Sequence, residues 1–223
     1  LAIEHEAINL SQGFPDFDPP QEVIQAASAA ITGGYNQYSP ARGILDLRVK
    51  LAEQYSDKLG WNVDAERHVT VTCGVTEAIN VAMLALLDPG DEIIIIEPAH
   101  ENFVPSALLS GAHPVAVPLT ERNFRLDVDL LKQSLTDRTR ALMLNTPHNP
   151  SGRVFDVDEM STITDFVVNN DLVLITDEIY DRILYDGRKH VCPGSMEALR
   201  ERTVTLGGMS KTFAITGWRL GYI

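Results

Sequence analysis

A lysine set among small residues and followed by apolar ones, Gly207-Gly208-Met209-Ser210-Lys211-Thr212-Phe213-Ala214-Ile215, is the segment best suited to covalent chemistry. Partial desolvation lowers an amine's pKa and makes it nucleophilic, whereas a solvated lysine is only a surface charge. Eight residues later, Arg219 offers a bidentate phosphate contact near the same place. A second segment, Asp177-Glu178-Ile179-Tyr180, follows an apolar run and puts a carboxylate at a strand's end. Such a carboxylate can hold a metal, act as a base, pair with a cationic ligand nitrogen or cap a helix, and Tyr180 adds a hydroxyl three residues on.

Two further segments supply positioned groups. In Asn145-Thr146-Pro147-His148-Asn149-Pro150-Ser151-Gly152, two prolines and a glycine define a rigid loop that fixes the direction of Asn149; a plain turn has the same composition. Cys73-Gly74-Val75-Thr76 opens a helical pattern. There glycine lets a ligand approach closely, the first-turn N–H groups favour an anion, and Thr76 adds a hydroxyl; a tight turn capped by threonine is the plainer alternative. Together these are an anion cradle, a carboxylate, an amide and phenol, a lysine able to form a Schiff base, and an arginine. This is the parts list for pyridoxal 5'-phosphate (PLP).

Positioning them calls for alternating elements. Helical stripes run from Pro19-Pro20 through Val23, Ile24, Ala27, Ala30 and Ile31 to Gly33-Gly34, from Ile44 to Leu59 before Gly60, and from Val75 to Leu87 before Pro89-Gly90. Asp156 and Glu159 form a capping-box pattern ahead of Met160, Ile163, Phe166 and Val167. Between them lie apolar, β-branched runs at Val69–Thr72, Glu92–Ile96, Val115–Val117, Ala141–Leu144, Leu172–Thr176 and Val204–Leu206. Strands without polar alternation, separated by helices, predict an α/β fold with a mainly parallel sheet covered on both faces, where chemistry gathers at the strands' carboxyl ends. No internal repeat or low-complexity segment interrupts it.

The 223 residues carry 31 acidic and 18 basic side chains, a net charge of −13, and are 44% apolar. This composition suits a folded domain and argues against disorder, nucleic acid or an anionic membrane as partner. No apolar run approaches the roughly 20 residues of a membrane span. Leu-Ala-Ile-Glu-His-Glu at the start has no signal-peptide pattern and no initiator Met, so the natural start is expected upstream. Cys73 and Cys192 lack CxxC spacing and the six histidines form no ligand-like cluster, so no metal is expected and a reducing cytoplasm is the simplest location.

Ser210-Lys-Thr-Phe-Ala-Ile-Thr-Gly-Trp-Arg-Leu-Gly-Tyr222, the Asn145–Gly152 loop and Asp177-Glu-Ile-Tyr180 resemble the class I/II aminotransferases of PLP fold type I. So do Asn9-Leu-Ser-Gln-Gly-Phe-Pro-Asp-Phe-Asp-Pro-Pro20 and Tyr35-Asn-Gln-Tyr-Ser-Pro-Ala-Arg-Gly43. The resemblance implies a three-layer αβα sandwich in which residues 1–32 form a mobile substrate-side segment and 33–223 the cofactor-binding domain. It implies that Lys211 carries PLP as a Schiff base and shuttles a proton, that Asp177 pairs with the ring nitrogen, and that Asn149 and Tyr180 bond the ring's phenolate oxygen. Gly74, Val75, Thr76 and Arg219 would hold the phosphate, Tyr38 would reach the phosphate of a second subunit in a homodimer, and Gly13 and Asn149 would lie on the substrate side.

Two positions depart from the family pattern. His100 stands where an aromatic residue commonly stacks on the ring, with Phe103 as fallback, and Gly208 stands where a phosphate-binding serine is common, with Ser210 nearby. Members of the family continue well past Tyr222 into a small C-terminal domain that supplies the arginine for the substrate carboxylate, so a longer parent is expected, with this stretch inactive alone. The resemblance implies transfer of an amino group from an L-amino acid to a 2-oxo acid, closest to enzymes acting on methionine, glutamine, kynurenine and aromatic amino acids. A carbon–sulfur lyase or γ-displacement enzyme shares the same cofactor residues, and a non-catalytic PLP-binding domain would use the same fold.

Overall fold

The computed structural model describes residues 1–9 and 13–223; Leu10, Ser11 and Gln12 of the opening motif lie outside the described residues. Local signals set the helix limits. Helix α1 (Gln21–Thr32) begins after Pro20 and stops at Gly33, and α2 (Leu45–Leu59) ends on Gly60 in the left-handed conformation, φ 74°. Helix α3 (Gly74–Leu86) follows strand β1 (Val71–Cys73) directly. Before α6 (Val157–Asn169), the Asp156 side chain accepts from the Glu159 N–H and the Glu159 side chain accepts from the Asp156 N–H, completing the capping box.

The remaining strands are β2 (Glu92–Glu97), β3 (His113–Pro118), β4 (Thr139–Asn145), β5 (Val173–Asp177), β6 (Thr203–Gly208) and β7 (Leu220–Tyr222). They form one seven-stranded sheet in the order β1-β7-β6-β5-β4-β2-β3. Strand β7 runs antiparallel to both neighbours and the other pairs are parallel.

Both faces of the sheet are buried, which is why these strands read as continuous apolar runs. Ile94, Leu142, Leu144 and Leu174 pack under Met160, Ile163 and Val167 of α6. On the opposite face Ile93, Ile95, Met143 and Ile175 pack under Ile79 and Met83 of α3 and Phe103 of α4 (Phe103–Leu109). The result is the expected αβα sandwich. A third cluster lies beneath α2, where Leu51, Tyr55 and Leu59 meet Cys192 and Tyr222.

Three differences from the sequence reading have local causes. Strand β7 and the short helices α4, α5 (Val128–Gln133) and α7 (Met209–Thr212) are too brief to show a period. Strand β1 starts two residues later and ends one residue later than its apolar run, although the Thr70 and Ile223 backbones pair just before it. The stripe of α1 covers no core in the single chain, since none of its residues is buried. Among the described residues, no helix is long and apolar enough to cross a membrane.

Candidate active site

The carboxyl ends of β1, β4, β5 and β6 converge. Asn145 ends β4 in register with Asp177 at the end of β5, and β6 closes with Gly208 opposite Gly221 of β7. Around this edge opens a cleft of about 590 Å3, lined by Gly13, Val75, Thr76, His100, Asn149, Asp177, Tyr180, Ser210, Lys211 and Arg219. Residues from six separate stretches of sequence thus meet at one place.

Lys211 is carried by α7, a single turn that starts straight from β6. Its Nζ donates to the Gly13 carbonyl at 2.8 Å and lies 6.0 Å from the Tyr180 ring centroid. Burial, together with the charge of Arg219, lowers its pKa below that of a free lysine and increases the neutral, nucleophilic fraction.

Asp177 is buried, with 4% of its surface exposed, and its Oδ1 accepts from the Ile179 N–H at 3.1 Å. It forms no ion pair among the described residues. Burial is the main force pushing its pKa up to about 7; the Ile179 N–H opposes this and the charge of Glu178 adds to it. A buried carboxylate without a cation is costly unless a ligand brings the charge.

Asn149 is held by its backbone N–H, which donates to Asn145 Oδ1 at 2.6 Å, while Asn145 Nδ2 donates to the Asp177 carbonyl at 2.9 Å. Asn145 therefore ties the loop to β5, a role that sequence reading missed because it depends on strand register. The Asn149 side chain then donates to the Tyr180 hydroxyl at 3.4 Å. Burial raises the Tyr180 pKa, Asp177 raises it further, and the Asn149 bond lowers it.

The anion cradle is built by close packing. Gly74 has φ +73°, and a Cβ there would run into the Arg219 guanidinium; a Cβ on Gly221 would strike the backbone of Gly74 and Val75. Arg219, itself at φ 54°, donates to the Thr216 carbonyl at 3.0 Å and lies over the α3 N-terminus. The Thr76 hydroxyl accepts from Asn102 Nδ2 at 3.2 Å.

His100, rather than Phe103, lines the cleft. Phe103 is 2% exposed and belongs to the core, its ring centroid 5.7 Å from that of His100. Burial lowers the His100 pKa, with Glu101 raising and Lys211 lowering it, which favours a neutral imidazole. Gly208 has no room for a side chain: its Cβ would lie 2.7 Å from Ile179 Cδ1 and 3.0 Å from Val75 Cγ2. Ser210 instead faces the cleft. Tyr38 is fully exposed and is not among the lining residues.

The expectation that histidines and cysteines form no ligand-like cluster is corrected at one place. His190 and Cys192 converge on Glu178, with ligand atoms within 4.8 Å of one another. The distance in sequence between 178 and 190 concealed this.

The family model for aminotransferase class I and II matches residues 5–223. Over its whole length the chain is 43% identical to the probable N-succinyldiaminopimelate aminotransferase DapC of Mycobacterium tuberculosis and 40% identical to human kynurenine–oxoglutarate transaminase 1, spanning 56% of each. The solved N-succinyldiaminopimelate aminotransferase from M. tuberculosis superposes with a TM-score of 0.95 over 99% of this chain and 58% of that one. The methionine aminotransferase YbdL of Escherichia coli superposes with a TM-score of 0.95 at 37% identity. The chain thus spans little more than half the length of these relatives, and it belongs to the PLP-dependent class I and II aminotransferase family.

Proposed function

We propose that this chain forms the cofactor-binding part of a PLP-dependent aminotransferase that moves the amino group of an L-amino acid to a 2-oxo acid. The observation that carries the reading is a depressed lysine amine sharing one cleft with a buried carboxylate that has no cationic partner among the described residues. PLP would supply an electron sink that makes the α-hydrogen of an attached amino acid acidic.

The chain's own residues do the rest. Ionised Asp177 holds positive charge at the ring nitrogen, and its burial makes that pairing strong. Asn149 and Tyr180 direct an amide N–H and a hydroxyl to the ring oxygen. The Val75 and Thr76 N–H groups, the positive end of the α3 dipole and Arg219 hold the phosphate, with Ser210 adjoining. His100, which lines the cleft, would be placed to stack on the ring. Lys211 Nζ first anchors the cofactor and afterwards takes and returns a proton.

Residues 1–32 form the substrate-side segment in this proposal, with Gly13 beside Lys211 and Asn149 facing the substrate. Tyr38 serves a second subunit's phosphate in a homodimer, which accounts for a tyrosine left fully exposed and away from its own cleft. A cytoplasmic location agrees with two free thiols, Cys73 and Cys192.

The test is a half-reaction. Adding an amino acid to the PLP-loaded full-length parent should exchange its visible absorption band for that of the pyridoxamine form, with release of one 2-oxo acid per site. Release of pyruvate and ammonia from a cysteine conjugate without that exchange would overturn the assignment in favour of a lyase.

A further inference from the structure

Behind the cleft, Glu178 is a second fully buried carboxylate with surroundings opposite to those of Asp177. Lys58 Nζ, from α2, donates to its Oε2 at 3.0 Å, His190 Nε2 lies 2.6 Å from the same oxygen, and the Cys192 thiol donates to Oε1 at 3.2 Å. Lys58 also donates to Asp181 Oδ2 at 3.1 Å, and Tyr55 of α2 and Tyr222 of β7 bring their hydroxyls close. Burial alone would raise the Glu178 pKa, but His190 and Lys58 hold it down; burial opposes the charge on Lys58, yet the surrounding acids keep it protonated. Glu178, His190 and Cys192 could be taken for a metal site. The carboxylate already accepts from the Lys58 ammonium and the Cys192 thiol, however, so the cluster is better described as a compensated charge.

Its position matters because the two carboxylates are consecutive. The Glu178 N–H donates to the Leu206 carbonyl at 2.8 Å and the Asp181 N–H to the Glu178 carbonyl at 3.0 Å, so the segment cannot rotate to separate them. On the cleft side, Asp177 is faced by the phenol of Tyr180, with Lys211, Arg219 and His100 also lining the cleft; through the backbone it is faced by Glu178. Two like charges held this close in a low-dielectric interior ionise together only if one is neutralised from elsewhere.

We infer that Lys58 is a positioning residue that acts through Glu178: by compensating Glu178 from behind the sheet, it leaves Asp177 able to ionise as counter-ion to the cofactor. The inference rests on the reading of the cleft given above. None of Lys58, His190 or Cys192 lines the cleft.

The experiment is PLP affinity between pH 5 and 9, followed by protein fluorescence, for wild type, Lys58→Met, Lys58→Arg, Glu178→Gln and the double variant Lys58→Met/Glu178→Gln. Asp177 must be ionised to bind, so affinity rises with pH through its titration. Lys58→Met should move that acid-side midpoint up by about one unit, weakening binding about tenfold at pH 6. Glu178→Gln should move it down, while the double variant and Lys58→Arg return near wild type. A structural role alone would weaken both single variants in the same direction. Same-direction shifts, or an unmoved midpoint in folded Lys58→Met, would overturn the inference. If Lys58→Met does not fold, a midpoint for Glu178→Gln no lower than that of the double variant overturns it equally. A wild type without any PLP binding curve would instead remove the reading of the cleft, and this inference with it.

Discussion

Asp177 illustrates how a single side chain can oppose folding in order to bind. Its carboxyl is near pKa 7 in the folded chain against an ordinary 3.8, so between those values the folded state holds more protons than the unfolded state. Stability therefore falls as pH rises through that window, by at most roughly 4 kcal/mol at about 1.4 kcal/mol per unit. Asp177→Asn keeps the shape and removes the charge. Urea denaturation of the cofactor-free protein at pH 8 should show the variant to be more stable than wild type, with the gap closing towards pH 4, while PLP affinity drops at least tenfold. A variant less stable at pH 8 would refute the burial argument. His148 is a quieter case. Burial is the main force lowering its pKa to about 4; a bond with the Pro98 backbone opposes this and the charge of Arg153 adds to it. The ring therefore stays neutral and pairs with the Ser151 hydroxyl at 2.7 Å.

At the scale of elements, the tightest constraint is the crossing of β7 beneath the first turn of α3. Gly221→Ala would set a methyl against the backbone of Gly74 and Val75, which cannot move without lifting α3 from the sheet. We expect it to cost more than about 3 kcal/mol and to abolish phosphate binding, both measurable by thermal unfolding with and without PLP. By contrast, Asp156→Ala, which removes the α6 capping box far from the cleft, should cost about 1 kcal/mol and leave PLP affinity unchanged. Elements of this kind were legible from sequence where punctuation and period agree: Gly60, Pro89-Gly90 and the Asp156–Glu159 pair mark helix ends without tertiary information. Strand β7 was not, because Leu-Gly-Tyr has no period and takes its place only by pairing with β1 and β6. Thr76, His100, Asn149, Asp177 and Lys211 were legible because they stand at or just after the end of a strand, whereas Gly13 follows none. Asn145 and Lys58 were not, since one works through register with β5 and the other through the packing of α2 against the far side of the sheet.

For the whole molecule, exposure is informative. Helix α1 buries none of its residues, and Tyr35 and Tyr38 stand in solvent, whereas the cleft is assembled from strand ends that the sheet fixes rigidly. Tyr38→Ala should therefore leave thermal stability within about 0.5 kcal/mol of wild type and lower PLP affinity only under conditions where sedimentation shows a dimer. The net charge of −13 keeps the surface repulsive to phosphate, so the local cations Arg219 and Lys211 and the α3 dipole must capture an anionic cofactor against the overall field. The most direct measurement is borohydride reduction of the PLP-loaded protein followed by peptide mass spectrometry, for wild type and Lys211→Ala. One reduced pyridoxyl group is expected, on the peptide containing Lys211, and none in the variant. A label on another lysine, or the same labelling in Lys211→Ala, would contradict it.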